Sequence, residues 1–218
     1  MERLRYVARA GDWLAPAELA LEAVWALADL AEEDPSALAV SARGLLSRRP
    51  EAGCLWWVVT CILTAHDVYL QAEQCARAIG EDPTDSIVEG LLAGGGPIDV
   101  LAPSRAVRPS SGVAVVDALA LAPAGVLARA GSGLAARAME SAGGETWLRA
   151  ASGSVVPPAA WDLINRISPA LRDGQVEVVP LEVFTRAVSP EGLGDPPVVA
   201  ESATWSLPPE LAGIAPPC

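Results

Sequence analysis

Lysine is absent from this sequence: all 15 basic residues are arginine. That excludes enzymes built on a lysine amine or ammonium, namely Schiff-base and pyridoxal-phosphate enzymes and P-loop nucleotidases. Histidine occurs once, as His66, so no His pair can hold zinc. With no serine in a nucleophile elbow beside it, His66 gives no support to a Ser-His-Asp triad. It is read instead as a capping or interface residue. Cys-x-x-Cys is missing too, and neither a metal nor a cofactor is expected. Long apolar runs are interrupted by Asp29, Glu32 and Glu33 or by His66 and Asp67, short of the roughly 18 residues a membrane span needs. Met1-Glu2-Arg3-Leu4-Arg5 leads into a charged segment rather than an apolar signal core, and a cytoplasmic location is expected.

Positive charge is scarce as well. The 27 acidic residues outnumber the basic ones and give a net charge of -12, which opposes binding to nucleic acid or anionic membranes. Arg48 with Arg49, and Arg105 with Arg108, are pairs rather than basic stripes. Of the four cysteines, Cys54 and Cys61 stand two helical turns apart, about 10 Å at 1.5 Å per residue, too far for a disulfide. Reduced thiols in a reducing compartment are expected.

What is present is a large apolar fraction, 51 % of 218 residues, enough for a sizeable core. The spacing predicts amphipathic helices over 16–30, from Asp34-Pro35-Ser36 to just before Pro50, and over 67–79, with a short one running into Gly90. The segment 52–65, with Leu55-Trp56-Trp57-Val58-Val59, is apolar nearly all round and belongs at the centre of a bundle or in an interface. Adjacent Trp56 and Trp57 cannot share a face, so one is expected to meet another subunit or a partner protein.

Gly94-Gly95-Gly96-Pro97 breaks the pattern and predicts a linker between a helical domain, 1–93, and an α/β domain, 98–218. Beyond it, short runs at Ile98–Leu101, Gly112–Val116, Thr146–Ala150 and Val176–Val179 read as buried strands. Helices over 130–142 and 158–167 lie between them as crossovers. The fold class is therefore α/β: a helical bundle followed by a reduced Rossmann-like parallel sheet with flanking helices. The proline-rich tail from Ser189 is expected to be extended, packed on the body or partly disordered.

Val115-Val116-Asp117-Ala118-Leu119, then Gly125-Val126, then Ala128-Arg129-Ala130-Gly131-Ser132 follow a recognisable order. This order resembles the family joining the regulatory subunits of initiation factor 2B with methylthioribose-1-phosphate and ribose-1,5-bisphosphate isomerases. Arg49-Pro50 before the tryptophan helix and Ser206-Leu207-Pro208-Pro209-Glu210-Leu211 near the end also fit. The resemblance implies a Rossmann-like half and a homodimer formed mainly through it. It also implies Asp117 as a catalytic carboxylate that moves protons between adjacent sugar carbons. Such isomerases need a cysteine beside the aspartate, and nothing here matches it. The family's Asn-Lys pair is replaced by Ala128-Arg129, keeping a cation and losing an amide. The chain is also shorter between its first sheet strand and Asp117.

Three functions remain open. The first is a non-catalytic relative that binds a phosphorylated sugar or nucleotide or acts as a regulatory subunit. The second is a working isomerase using Asp117 with another acid or base such as Asp99. The third is a scaffold that binds a partner through the Trp56 face. For ligand binding the candidates are Ser104 and Arg105 in a Ser-containing loop, Arg129, and Gly131 and Ser132 at a helix start, where free N-H groups favour an anion. The competing reading makes Asp117 a loop cap and Gly131-Ser132 a simple helix start.

Overall fold

The computed structural model describes residues 15–93, 98–100 and 112–215. Ser104, Arg105, Cys218 and the glycine run at 94–97 lie outside the described residues.

Among the described residues, five helices form the amino-terminal half: α1 (Pro16–Glu33), α2 (Pro35–Arg48), α3 (Gly53–Thr64), α4 (Val68–Gly80) and α5 (Thr84–Leu92). Their ends follow local chemistry. Pro16 starts α1, where a missing N-H costs nothing. Asp34 starts α2: its carboxylate accepts the Ser36 hydroxyl and the Ser36 and Ala37 N-H groups, which hold its pKa below the usual value. Asp67 starts α4 by accepting the Leu70 N-H at 3.0 Å, so the cap is Asp67 and not the neighbouring His66, which is exposed. The apolar spacing buries Leu19, Val24 and Leu27 of α1 against α3, whose Leu55, Val58, Val59 and Ile62 are buried in turn.

Trp56 corrects the interface reading. It is fully buried, and its indole N-H donates to the Pro50 carbonyl at 2.8 Å. Trp57 turns the other way, yet it meets the α/β half of its own chain, packing on Gly153. Both tryptophans are thus used inside one molecule.

Among the described residues, the carboxyl-terminal half contains two sheets. The larger has strand order β1-β2-β5-β7-β8, made of β1 (Ile98–Val100), β2 (Val113–Asp117), β5 (Glu145–Arg149), β7 (Arg186–Ser189) and β8 (Gly192–Gly194). The first four strands are parallel, and β8 adds an antiparallel edge. Helix α5 covers one face, burying Val88 and Leu92 with Val115, Trp147 and Val188. Helix α6 (Ser132–Ser141) and the short helix Pro196–Ala200 pack on the other side of the sheet. Helices on both faces of a parallel sheet make the half Rossmann-like.

The smaller sheet, order β3-β4-β6, is antiparallel: β3 (Ala120–Ala122), β4 (Gly125–Arg129) and β6 (Val176–Val179). This corrects the assignment of Val176–Val179 to the parallel sheet, whose strand at that position is Arg186–Ser189. A four-residue apolar run carries no signal of direction or partner. The hairpin formed by β3 and β4 supplies an antiparallel edge, and Val126 pairs with Val179 across it. The expected crossover helices are present as α6 and as α7 (Pro158–Ile167), with Trp161, Ile164 and Ile167 of α7 buried.

One core runs through both halves. It joins Leu27, Leu46 and Trp56 of the helices to Leu127 of the hairpin, Ile164 of α7, and Leu211 and Ile214 of the tail. The junction is tight: the Gly53 N-H donates to the Leu119 carbonyl at 2.7 Å, and a Cβ on Gly53 would lie 2.9 Å from the Ser154 oxygen. The described part of the tail is ordered and packed, with Leu211 buried.

Candidate functional site

Parallel strands alternate their side chains, so Asp117 and Arg149, each the last residue of its strand, project on the same face of the sheet at its carboxyl edge. They are register partners, and Arg149 Nε donates to Asp117 Oδ1 at 2.7 Å. The other arm of the guanidinium pairs with Asp85, in the first turn of α5. Partial burial works against the Arg149 cation, but the Asp117 and Asp85 carboxylates outweigh it and raise its pKa further. Asp117 is therefore a member of an Asp-Arg-Asp triad.

Next to the triad, Asp82 fastens the start of α5 to the loop after β5. Its carboxylate accepts the Ser152 N-H at 2.6 Å and the Thr84 N-H at 2.8 Å, together with the Thr84 hydroxyl. Partial burial disfavours the ionised form, yet these hydrogen bonds together hold the Asp82 pKa below the usual value.

The second predicted locus sits at the end of β4. Arg129 is exposed there and makes no ion pair among the described residues. Gly131 precedes α6 with φ +89°, a left-handed conformation that glycine adopts without strain, and Ser132 opens the helix. The helix start already has an anion: Glu177 of β6 accepts the Gly133 N-H at 2.8 Å. Asp99 is the register partner of Ala114 in the outer pairing of β1 with β2.

A cleft of about 720 Å³ opens elsewhere on the same carboxyl edge, between α4, the loops after β5 and β7, and the tail around Trp205. Its walls include Trp57, Ser152 and Gly153, and its charged lining is mostly acidic: Glu73, Glu81 and Glu191 beside Arg77. Arg77 is itself paired with Glu73 at 3.3 Å. Asp117, Arg129, Gly131 and Ser132 do not line it. Among the described residues no group of three His, Cys, Asp or Glu side chains converges as a metal-ligand set. No described helix is long and apolar enough to cross a membrane.

Sequence reading missed Arg149 and Glu177 and did not connect Asp82 and Asp85 with the sheet edge. The signal for Arg149 was its place at the end of a strand, as Asp117 is at the end of its own. A further missed pair is Arg49 with Glu51, 2.8 Å apart with both side chains largely buried, immediately before α3. Glu51 lay in plain view beside the Arg49-Pro50 motif.

The architecture defines an α/β protein with a helical half laid over the carboxyl edge of a Rossmann-like sheet, and solved structures share it. The translation initiation factor eIF-2B of Pyrococcus horikoshii OT3 superposes with a TM-score of 0.70 at 15 % identity, covering 92 % of this chain and 98 % of that one. The tetrameric eIF2B-beta2-delta2 complex of C. thermophilum gives 0.61 at 12 %, covering 91 % of each chain. eIF2B beta of Chaetomium thermophilum gives 0.57 at 12 %, covering 88 % and 87 %. No protein-family model matches the chain, and no curated protein sequence matches it significantly. The chain thus has the fold of initiation factor 2B subunits, the fold that the motif order around Asp117 implied.

Proposed function

We propose that this chain is a non-catalytic protein of the initiation factor 2B fold, acting as a regulatory subunit that assembles with a second chain. The observation that carries this reading is the Asp117-Arg149-Asp85 triad. A carboxylate that must take and return a proton needs a substrate carbon in front of it. Asp117 has instead the Arg149 guanidinium bonded to its carboxylate, and the described cysteines all lie on α3 and α4. The acidic cleft is also a poor receptor for a phosphorylated sugar.

Assembly is supported by what the small sheet leaves uncovered. Strand β6 is one of its two edge strands, with Val178 exposed on it, and Leu134 of the adjacent α6 is 77 % exposed. One similar structure is a tetrameric complex of two subunit types.

Two measurements test the reading together. Turnover of methylthioribose 1-phosphate and ribose 1,5-bisphosphate is expected to be absent. Light scattering after size exclusion is expected to give a multiple of the chain mass, reduced by Val178→Glu. Turnover that Asp117→Asn abolishes would establish an isomerase instead, and a monomer at micromolar concentration would remove the assembly.

A second reading keeps a phosphorylated ligand, and the observation in its favour is the exposed Arg129, a cation with no ion-pair partner among the described residues.

A further inference from the structure

The cleft beside Trp205 has no part in the reading above: neither the triad nor Val178 and Leu134 line it. Segments far apart in sequence converge there, from α3, the end of α4, the loop after β5, the turn between β7 and β8, and the tail. Its volume, about 720 Å³, falls in the range of roughly 300–1,000 Å³ that small-molecule sites occupy. Two half-buried indoles stand in its wall. Trp57 lies on Gly153, whose missing Cβ lets the loop after β5 close on the ring. Trp205 is fixed by its own N-H, which donates to the Val155 carbonyl at 3.1 Å. With that nitrogen engaged, Trp205 has only its ring surface to offer a ligand.

The charges around these rings set the sign of what fits. Arg77 is already paired with Glu73 at 3.3 Å, so the two cancel. Glu81 and Glu191, also in the lining, have no ion-pair partner among the described residues. Glu191 is oriented by the Ser189 hydroxyl, which donates to its carboxylate at 2.8 Å. Glu81 caps the carboxyl end of α4 and stands at the negative end of that helix's dipole.

We propose that this cleft is a binding site for a small organic cation, an ammonium or guanidinium group carried on an apolar stem. Two uncompensated carboxylates and two π faces in one concave wall are the complement of such a group: the carboxylates attract the charge, and the ring quadrupoles attract it as well. The stem has Leu70, Val155 and Pro190 to lie against. A neutral molecule of the same shape gains the stem contacts alone, and a phosphorylated one is repelled.

The full chain is titrated with agmatine, cadaverine and phenethylamine, and with 2-phenylethanol as the neutral counterpart of phenethylamine, followed by tryptophan fluorescence and calorimetry. Saturable binding of at least one amine is expected, with a dissociation constant below about 1 mM, and none of the alcohol. A Glu81→Gln Glu191→Gln double variant should weaken that binding at least about tenfold. Glu89→Gln, on α5 and outside the cleft, should leave it unchanged. Trp205→Leu should diminish the fluorescence response. No saturable binding of any of the three amines, equal binding of phenethylamine and its alcohol, or unchanged affinity in the double variant would overturn the proposal. Binding of an oligo-arginine peptide with none of the amines would also overturn it, making the cleft a protein-docking groove. The comparison of amine with alcohol on the wild-type chain decides the matter even if a variant fails to fold.

Discussion

Arg149 reaches two carboxylates from opposite structural layers: Asp117, its register partner on β2, and Asp85 on the helix above. It thereby joins the sheet edge to α5 with one planar fork, a geometry lysine cannot supply. Arg149→Met should leave Asp85 and Asp117 facing each other without a cation. With the Asp117 side chain 63 % exposed, the loss of stability should be modest, about 0.5–1 kcal/mol by urea denaturation, and smaller still at 1 M salt.

Asp82 should make the protein acid-sensitive in a defined direction. Its pKa is lower in the folded chain than the ordinary 3.8, so its stabilising contribution is complete above that value and is lost as pH falls through the folded value. Asp82→Asn should therefore lower the melting temperature at neutral pH, and its difference from wild type should shrink as the pH falls below 3.8. A difference that stays constant or grows as the pH falls would refute this account.

Gly153 has φ +76°, and a Cβ placed on it would lie 2.6 Å from Trp57 Cε3. Gly153→Ala combines left-handed strain with a clash against a ring held in the core. We expect a cost of at least about 1 kcal/mol in chemical denaturation. Gly143, also at positive φ but with open space around its Cβ position, provides the comparison: Gly143→Ala should show the backbone strain without the clash and cost less.

Arg129 decides the ligand question. Thermal denaturation with ribose 1,5-bisphosphate, methylthioribose 1-phosphate and nucleotides should show a raised midpoint only if a folded-state site exists. If Arg129 contributes to such a site, Arg129→Ala should abolish the shift. A shift that survives the substitution would place the ligand elsewhere, and no shift with any compound would leave assembly as the remaining reading.

The helical half was legible because a 3.6-residue period persists over a dozen residues or more, and because Pro16, Asp34-Pro35 and Asp67 mark starts by local chemistry. The sheets were less so. Val176–Val179 looks like any buried strand, while Arg186–Ser189 begins with a charged residue and ends with a polar one, yet the second completes the parallel sheet. Asp117 was visible as a strand-end carboxylate. Its partner was not, because Arg149, 32 positions further along the chain, meets it only through the register of two strands. For Trp56 the failure had a different origin. A helix apolar on every side can equally face a partner or its own chain, and here α1, α2, α4 and β3 pack around it.

The packing of Leu211 and Ile214 into the same core as Leu27 and Trp56 has a consequence for synthesis. A nascent chain that has completed α1 to α5 still lacks the Leu211 and Ile214 side chains of that core, which emerge from the ribosome more than a hundred residues later. The core is therefore complete only once the tail has been delivered.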